Sequence, residues 1–144
     1  QFSLLTKPSL EDEKIKNICN ENNIEYLAYS PLALGLLTIP PNKSPKPSTF
    51  LRQKLFERIL PKTQELRELL ASIGKKYSVS QAQVALNWVR SHGSKPIVGI
   101  RNPLQAKDAI SALSWSLTKN EKEKLDSYRN KCLTNMPQNP FNSP

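Results

Sequence analysis

The sequence predicts a mixed α/β fold built on parallel strands, and three stretches carry that expectation. The first thirty residues run strand, helix, strand, which makes one βαβ unit. Within them "IEYLAYS" is almost continuously apolar from Tyr26 to Tyr29, as a strand covered on both faces must be. Further on, "PIVGIRNPLQ" passes from a short apolar run straight into a helix start. A section of an α/β barrel or of a doubly wound sheet meets all three.

The elements follow in order. Phe2 to Thr6 reads as a short strand closed by "KPS". Ser9 then caps a helix whose apolar face carries Leu10, Ile15, Ile18 and Cys19, and "NENN" ends it before the second strand. Between Thr38 and Thr49 lies "TIPPNKSPKPST", which can form neither a helix nor an interior strand. It is either a linker or a long loop on the face of a site. The stretch from Phe50 to Ser78 is helical, broken at Pro61, with a longer helix expected from about residue 62 that has Leu66, Leu69, Leu70 and Ile73 as its stripe and Gly74 with the lysines after it at its C-terminal end. Ser80 and Gln83 form a capping-box pattern for a helix that buries Val84, Ala85, Trp88 and Val89. His92, the single histidine, reads as a solvated helix-terminal residue without a catalytic role. The third strand is Pro96 to Ile100. Asn102 caps the next helix, Pro103 takes its first position and Gln105 can close a box. Thr118 and Glu121 open the last helix, which carries Leu125 and Tyr128. The expected domain covers residues 1–131, and 132–144 is expected to be an extended tail.

Bulk properties narrow the function. At 144 residues the chain suits a single core, and 38% hydrophobic with 23% charged residues fits a folded rather than a disordered protein. No apolar run approaches the roughly 20 residues that span a bilayer, so no membrane role is expected. Two cysteines, Cys19 and Cys132, offer neither a disulfide framework nor metal spacing, so no metal is expected and the chain reads as intracellular and reduced. The net charge of +9 is spread along the chain beside acids, as in "LEDEKIK", and reads as solvated helix faces rather than a nucleic-acid surface. The first residues begin without Met and directly as a strand, so the chain is expected to be cut from something longer, without its targeting segment.

Chemistry concentrates at two strand-to-helix junctions. A helix start offers unpaired N–H groups and a partial positive potential to an anion. Arg101 stands just before the Asn102 cap, with a planar five-donor cation that matches phosphate oxygens, and Gly99 leaves room for close approach. At the other junction, "AYSPLALGLL", Tyr29 can present a flat ring while Ser30 and nearby backbone amides can meet phosphate. Two such junctions favour an elongated phosphorylated ligand. The GxGxxG fingerprint of dinucleotide-binding Rossmann domains is missing.

"QFSLLTK", "AYSPLALGLLT", "SVSQAQVALNWV" and "PIVGIRNPLQAKDAISALSWSLTKNEKEKLD" together resemble the C-terminal part of the aldo-keto reductase family, from Gln1 to about Leu125. The likeness is greatest to plastid and cyanobacterial-type members. It implies strands six to eight, with their helices, of a TIM-type (α/β)8 barrel that binds NADPH across its C-terminal face. By that resemblance Gln1 helps to hold the nicotinamide carboxamide and Tyr29 stacks on the nicotinamide ring. Ser30, Pro31, Leu32, Gly35 and Leu36 would line the pyrophosphate. Gly99, Ile100 and Arg101 would meet the adenosine 2′-phosphate, which favours NADP over NAD, while Gln105 and Asp108 would lie on the adenine side. The implied partner is a small carbonyl substrate, an aldehyde or ketone reduced to an alcohol, and the tail "MPQNPF" suggests pyridoxal. Plastid or cytoplasm is the implied compartment, and the oligomeric state stays open.

Two departures qualify the likeness. Ala109 stands where many relatives have asparagine, which weakens the expected adenine contact. The family's Asp, Tyr, Lys and His tetrad belongs to earlier strands and has no counterpart here, so no catalytic residue is assigned and the chain alone is expected to be inactive. Tyr29 and His92 do not take those roles. The alternative reading is a non-catalytic nicotinamide-binding or regulatory module.

Overall fold

The computed structural model describes residues 1–7, 10–45, 47 and 49–133. Helix α1 spans Leu10–Glu21 and leads to strand β1, Tyr26–Tyr29. A 3₁₀ stretch, Ala33–Thr38, opens the proline-rich loop, and α2 covers Phe50–Ile59. A 3₁₀ turn at Pro61–Thr63 separates α2 from α3, Gln64–Tyr77, because the proline ring cannot continue the preceding helix. Then come α4 (Gln81–Ser91), β2 (Ser94–Ile97), α5 (Pro103–Ser111) and α6 (Lys119–Cys132). The two strands pair in parallel, Tyr26 opposite Ser94 and Tyr29 opposite Ile97. Parallel pairing sends both chains out at the same end, which sets the site described below.

Helices cover one face of this sheet and leave the other bare. Ala28 and Ser94 point into the core and are buried, whereas Leu27 and Ile97 on the opposite face are 55% and 52% exposed. The core holds Leu4, Leu5, Leu36, Leu37, Leu66, Leu70, Val84, Trp88, Val89 and Leu125, so the stripes expected on α3 and α4 are the ones that pack. Leu69 is partly buried at the edge of that core.

Several expectations are corrected. Strand β1 is covered on one side only, not both. On α1 the apolar face points outward, with Ile15 and Ile18 more than half exposed, and Ser9 as its cap lies outside the described residues. Phe2 to Thr6 forms a turn rather than a strand. The Ser3 hydroxyl contacts the Leu5 N–H at 3.3 Å and the Thr6 hydroxyl at 2.8 Å, and the Thr6 N–H donates to the Ser3 carbonyl, an arrangement that competes with a ladder. The third strand starts two residues earlier and ends three residues earlier than expected, at Ser94–Ile97. Ser80 accepts from the Gln83 N–H as a cap should, but the Gln83 side chain does not return to Ser80. It donates to Asp108 at 2.7 Å and accepts from the Trp115 indole at 3.1 Å. His92 is partly buried rather than fully solvated. Its ring packs against Trp88 and Phe2, and its Nε2 lies 3.0 Å from Asp126. The last helix runs through Cys132, so the expected boundary at residue 132 falls inside its final turn, and the tail from 134 lies outside the described residues.

Candidate functional site

The candidate site is the pair of strand tips. The Phe2 N–H donates to the Tyr29 carbonyl at 3.2 Å, which lays Gln1 beside the end of β1. Register puts Ile97 opposite Tyr29, so the segment beginning at Val98 leaves next to Ser30. Gln1, Tyr29, Ser30, Gly99, Ile100 and Arg101 therefore belong to one end of the sheet. Tyr29 and Ser30 are half-buried, while Gly99, Ile100 and Arg101 are exposed.

After β1 the backbone takes an unusual course. Ser30, Ala33 and Leu34 have φ of 54°, 49° and 57°, and Gly35 follows at 89°. Left-handed geometry costs a non-glycine residue about 1–2 kcal/mol, and such strain gathers at functional sites. Three anchors hold it here. Ala33, Leu36 and Leu37 are buried in the core, Thr38 Oγ1 donates to the Gly35 carbonyl at 2.8 Å, and Arg52 of α2 donates to the Leu34 carbonyl. Arg52 is a residue that sequence reasoning missed. It sits in an ordinary-looking helix start, and only the fold brings it back eighteen residues to this loop. Its Nε is buried without a hydrogen-bond partner. A Cβ on Gly35 would stand 3.4 Å from the Arg52 guanidinium, so glycine serves both the turn and the close approach. Of the expected pyrophosphate-lining residues, Pro31 and Leu36 are buried, so their side chains serve the core and only their backbone can face a ligand.

After β2 the junction is a well-made helix start. Asn102 Oδ1 accepts the Gln105 N–H at 2.9 Å, and Pro103 occupies the first turn. Gln105 reaches back to the Arg101 N–H at 2.9 Å, one residue ahead of the cap, and so fixes the backbone that carries the guanidinium. A Cβ at Gly99 would meet nothing within 4 Å, which leaves the space above the tip open. Asp108 is committed elsewhere. Ser80 donates to one of its oxygens and Gln83 to the other, each at 2.7 Å, tying α5 to the start of α4.

The arrangement offers two guanidinium groups, one helix N-terminus, an aromatic ring and open space at one end of a sheet. That set suits a long anion with an aromatic end. Among the described residues no group of His, Cys, Asp and Glu could hold a metal ion, and no helix is long and apolar enough to cross a membrane.

Comparison with known proteins bears on what this framework is. The chain is 40% identical over 141 residues to a chloroplastic pyridoxal reductase from Arabidopsis thaliana, covering 98% of this chain and 38% of that protein. It is 30% identical over 120 residues to a putative aryl-alcohol dehydrogenase from Saccharomyces cerevisiae, covering 81% of this chain and 35% of the yeast protein. The crystal structure of a thermostable aldo-keto reductase, Tm1743, superposes with a TM-score of 0.62 at 18% identity, over 89% of this chain and 38% of that one. At that identity the match concerns the fold, a mixed α/β section of such a protein. The chain thus spans 35–38% of the length of these three proteins. The model of the aldo/keto reductase family covers residues 1–130, and the chain belongs to that family.

Proposed function

We propose that this chain supplies the C-terminal section of the barrel, with β1 and β2 as strands seven and eight and the Phe2–Thr6 turn in the place of strand six, and the NADPH-binding end of an aldo-keto reductase that reduces aldehydes or ketones to alcohols. Residues 1–133 would form the C-terminal section of the barrel, with the first five strands contributed by protein outside this chain. The observation that carries the reading is the side-by-side exit of β1 and β2, with Arg101 on the segment that follows β2 and Arg52 of α2 bonded to the loop that follows β1. A sheet with helices on one face and a bare other face that carries Leu27 and Ile97 beside Lys95 supports it too, because a section of barrel wall is covered by helices on its outer side.

The residues fit the cofactor. Arg101, exposed beside the α5 N-terminus, would take the 2′-phosphate, and Gly99 leaves the approach clear. Arg52, Ser30 and the backbone from Leu32 to Leu36, left-handed at Ala33, Leu34 and Gly35, would face the pyrophosphate. Tyr29 would support the nicotinamide ring, and Gln1 its carboxamide. When bound, NADPH supplies the hydride, and the protein holds the ring in place and excludes water. Gln105 would act by fixing the Arg101 backbone. Asp108, already held by two donors, would support the site through α4 and α5 rather than by direct contact. Proton transfer to the carbonyl oxygen would fall to groups on the earlier strands. The chloroplastic relative is named a pyridoxal reductase, so pyridoxal is the substrate to try first.

The test uses the full-length protein. Arg101→Ala removes a charge-assisted contact that only the phosphorylated cofactor makes, worth about 1.5–3 kcal/mol, so KM for NADPH should rise about tenfold or more. KM for NADH should change little. Equal effects on both cofactors would remove Arg101 from the 2′-phosphate.

A further inference from the structure

Helix α5 carries the N-terminus beside Arg101, yet none of its residues is buried, and Leu104 and Ile110 on it are exposed. A helix is ordinarily fixed by packing an apolar face, so in α5 polar links carry more of the placement. Links from α4 and its cap reach it at two places. At its C-terminal end Arg90 donates to the Ala112 carbonyl at 2.7 Å. In its middle Asp108 accepts from Ser80 Oγ and from Gln83 Nε2, each at 2.7 Å.

Gln83 is the side chain on which these links converge. It is buried, and its backbone N–H donates to Ser80 Oγ at 3.1 Å, so Ser80, Asp108 and Gln83 close a ring of three hydrogen bonds. Its Oε1 accepts the Trp115 indole N–H at 3.1 Å, and the Trp115 ring stacks on Tyr77 of α3 with centroids 4.9 Å apart. An ionised carboxylate only accepts and an indole N–H only donates, so a neutral amide is the group that bridges the two. A glutamate there would repel Asp108, and a lysine could not accept from the indole. Capping of α4 needs only the Ser80 hydroxyl. It leaves unexplained why a buried amide turns away from the cap and onto α5.

From Asp108 the connection runs on to the strand tip. Asp108 and Gln105 lie one turn apart on α5. Gln105 Oε1 accepts the Arg101 N–H at 2.9 Å, and Asn102 caps the same turn. Arg101 is exposed, so its backbone is placed by the helix start behind it.

We propose that Gln83 is a positioning residue for the 2′-phosphate of the cofactor: by holding Asp108 it sets where α5 presents Arg101, and so how strongly NADPH is preferred to NADH. The role rests on Arg101 meeting that phosphate, as proposed above. A direct contact from Asp108 to adenine would instead serve both cofactors alike, because both carry adenine.

KM for the two cofactors, measured in the full-length protein, tests this. Gln83→Leu keeps most of the side-chain volume and removes both of its hydrogen bonds. KM for NADPH should rise about threefold or more, while KM for NADH moves by less than about twofold. A merely structural role would lower the amount of folded enzyme and leave that ratio alone. Should Gln83→Leu not fold, Asp108→Ala breaks the same link from the half-buried side of α5 and should give the same selective rise. Added to Arg101→Ala, either change should raise KM for NADPH no further, because each acts through that guanidinium. An equal rise for both cofactors, no rise at all, or a rise that simply adds to that of Arg101→Ala would overturn the proposal. The two levels separate cleanly. An unselective Arg101→Ala sinks the 2′-phosphate assignment and the role of Gln83 with it, whereas a selective Arg101→Ala beside an unselective Gln83→Leu sinks the role of Gln83 alone.

Discussion

His92 shows how one side chain couples distant parts of the chain. Its ring lies on Trp88 of its own helix and against Phe2 of the N-terminal turn, and its Nε2 meets Asp126 of α6. Asp126 also accepts from the Trp88 indole at 2.8 Å and from Lys122 at 3.0 Å, while Arg129 lies over Trp88 and donates to the Thr6 carbonyl. Burial holds the His92 pKa below its usual 6.5 despite the opposing pull of Asp126, with Lys122 and Lys16 adding repulsion. The sign follows from linkage. Above about pH 6.5 the imidazole is neutral in both states and costs nothing. Below it the unfolded chain takes up a proton that the folded chain resists, so stability falls until the folded pKa is passed. His92→Gln should remove that component. Urea midpoints of wild type and variant, measured from pH 7.5 down to 5.5, should diverge with a slope difference of at most about 1.4 kcal/mol per pH unit. Parallel curves would mean that His92 is not resisting protonation.

Among the elements, α6 carries the most complete local signal. Thr118 Oγ1 accepts the Glu121 N–H, Glu121 Oε2 accepts the Thr118 N–H, and Lys76 and Tyr77 of α3 donate to the same carboxylate. Burial alone would raise the Glu121 pKa, but those donors outweigh it and hold it at about 2. Its contribution is present above the usual carboxylate range and is lost as pH falls through about 2. Thr118→Ala should cost about 1 kcal/mol, lowering Tm by a few degrees with the far-UV signal unchanged. No change would make the cap dispensable. This box was legible because both partners lie within four residues, as were the Asn102 cap and the Pro61 break. Strands were less legible. Phe2 to Thr6 has strand-like residues, but Ser3 satisfies the backbone locally, and β2 starts at Ser94 because pairing with β1, not composition, sets its register. The site was legible in the same uneven way. Arg101 and Gly99 stand where a local pattern put them, whereas the left-handed path of Ala33 and Leu34 has no composition signal, and Arg52 reaches the loop only through the fold.

The molecule as a whole is one-sided. Leu27 and Ile97 point away from the helices, Ile24 just before β1 is 57% exposed, and Leu104, Ile110 and Leu113 are bare on the α5 side. A two-stranded sheet has open edges, and exposed apolar residues such as Leu27 and Ile97, here beside Lys95, invite association in water. In a completed barrel the same face would turn inward and be covered. The two situations give opposite signs for one pair of substitutions. In the 144-residue chain alone, Leu27→Lys with Ile97→Lys replaces exposed apolar surface by charge. Binding of the dye ANS and the apparent mass by light scattering should both fall, with the circular dichroism unchanged. In the full-length protein the pair would place two ammonium groups in a covered interior, and stability should drop by more than about 4 kcal/mol or folding should fail. The urea midpoint of the full-length variant decides it. A full-length protein that tolerates both lysines keeps this face in water, and the chain is then not a section of barrel wall.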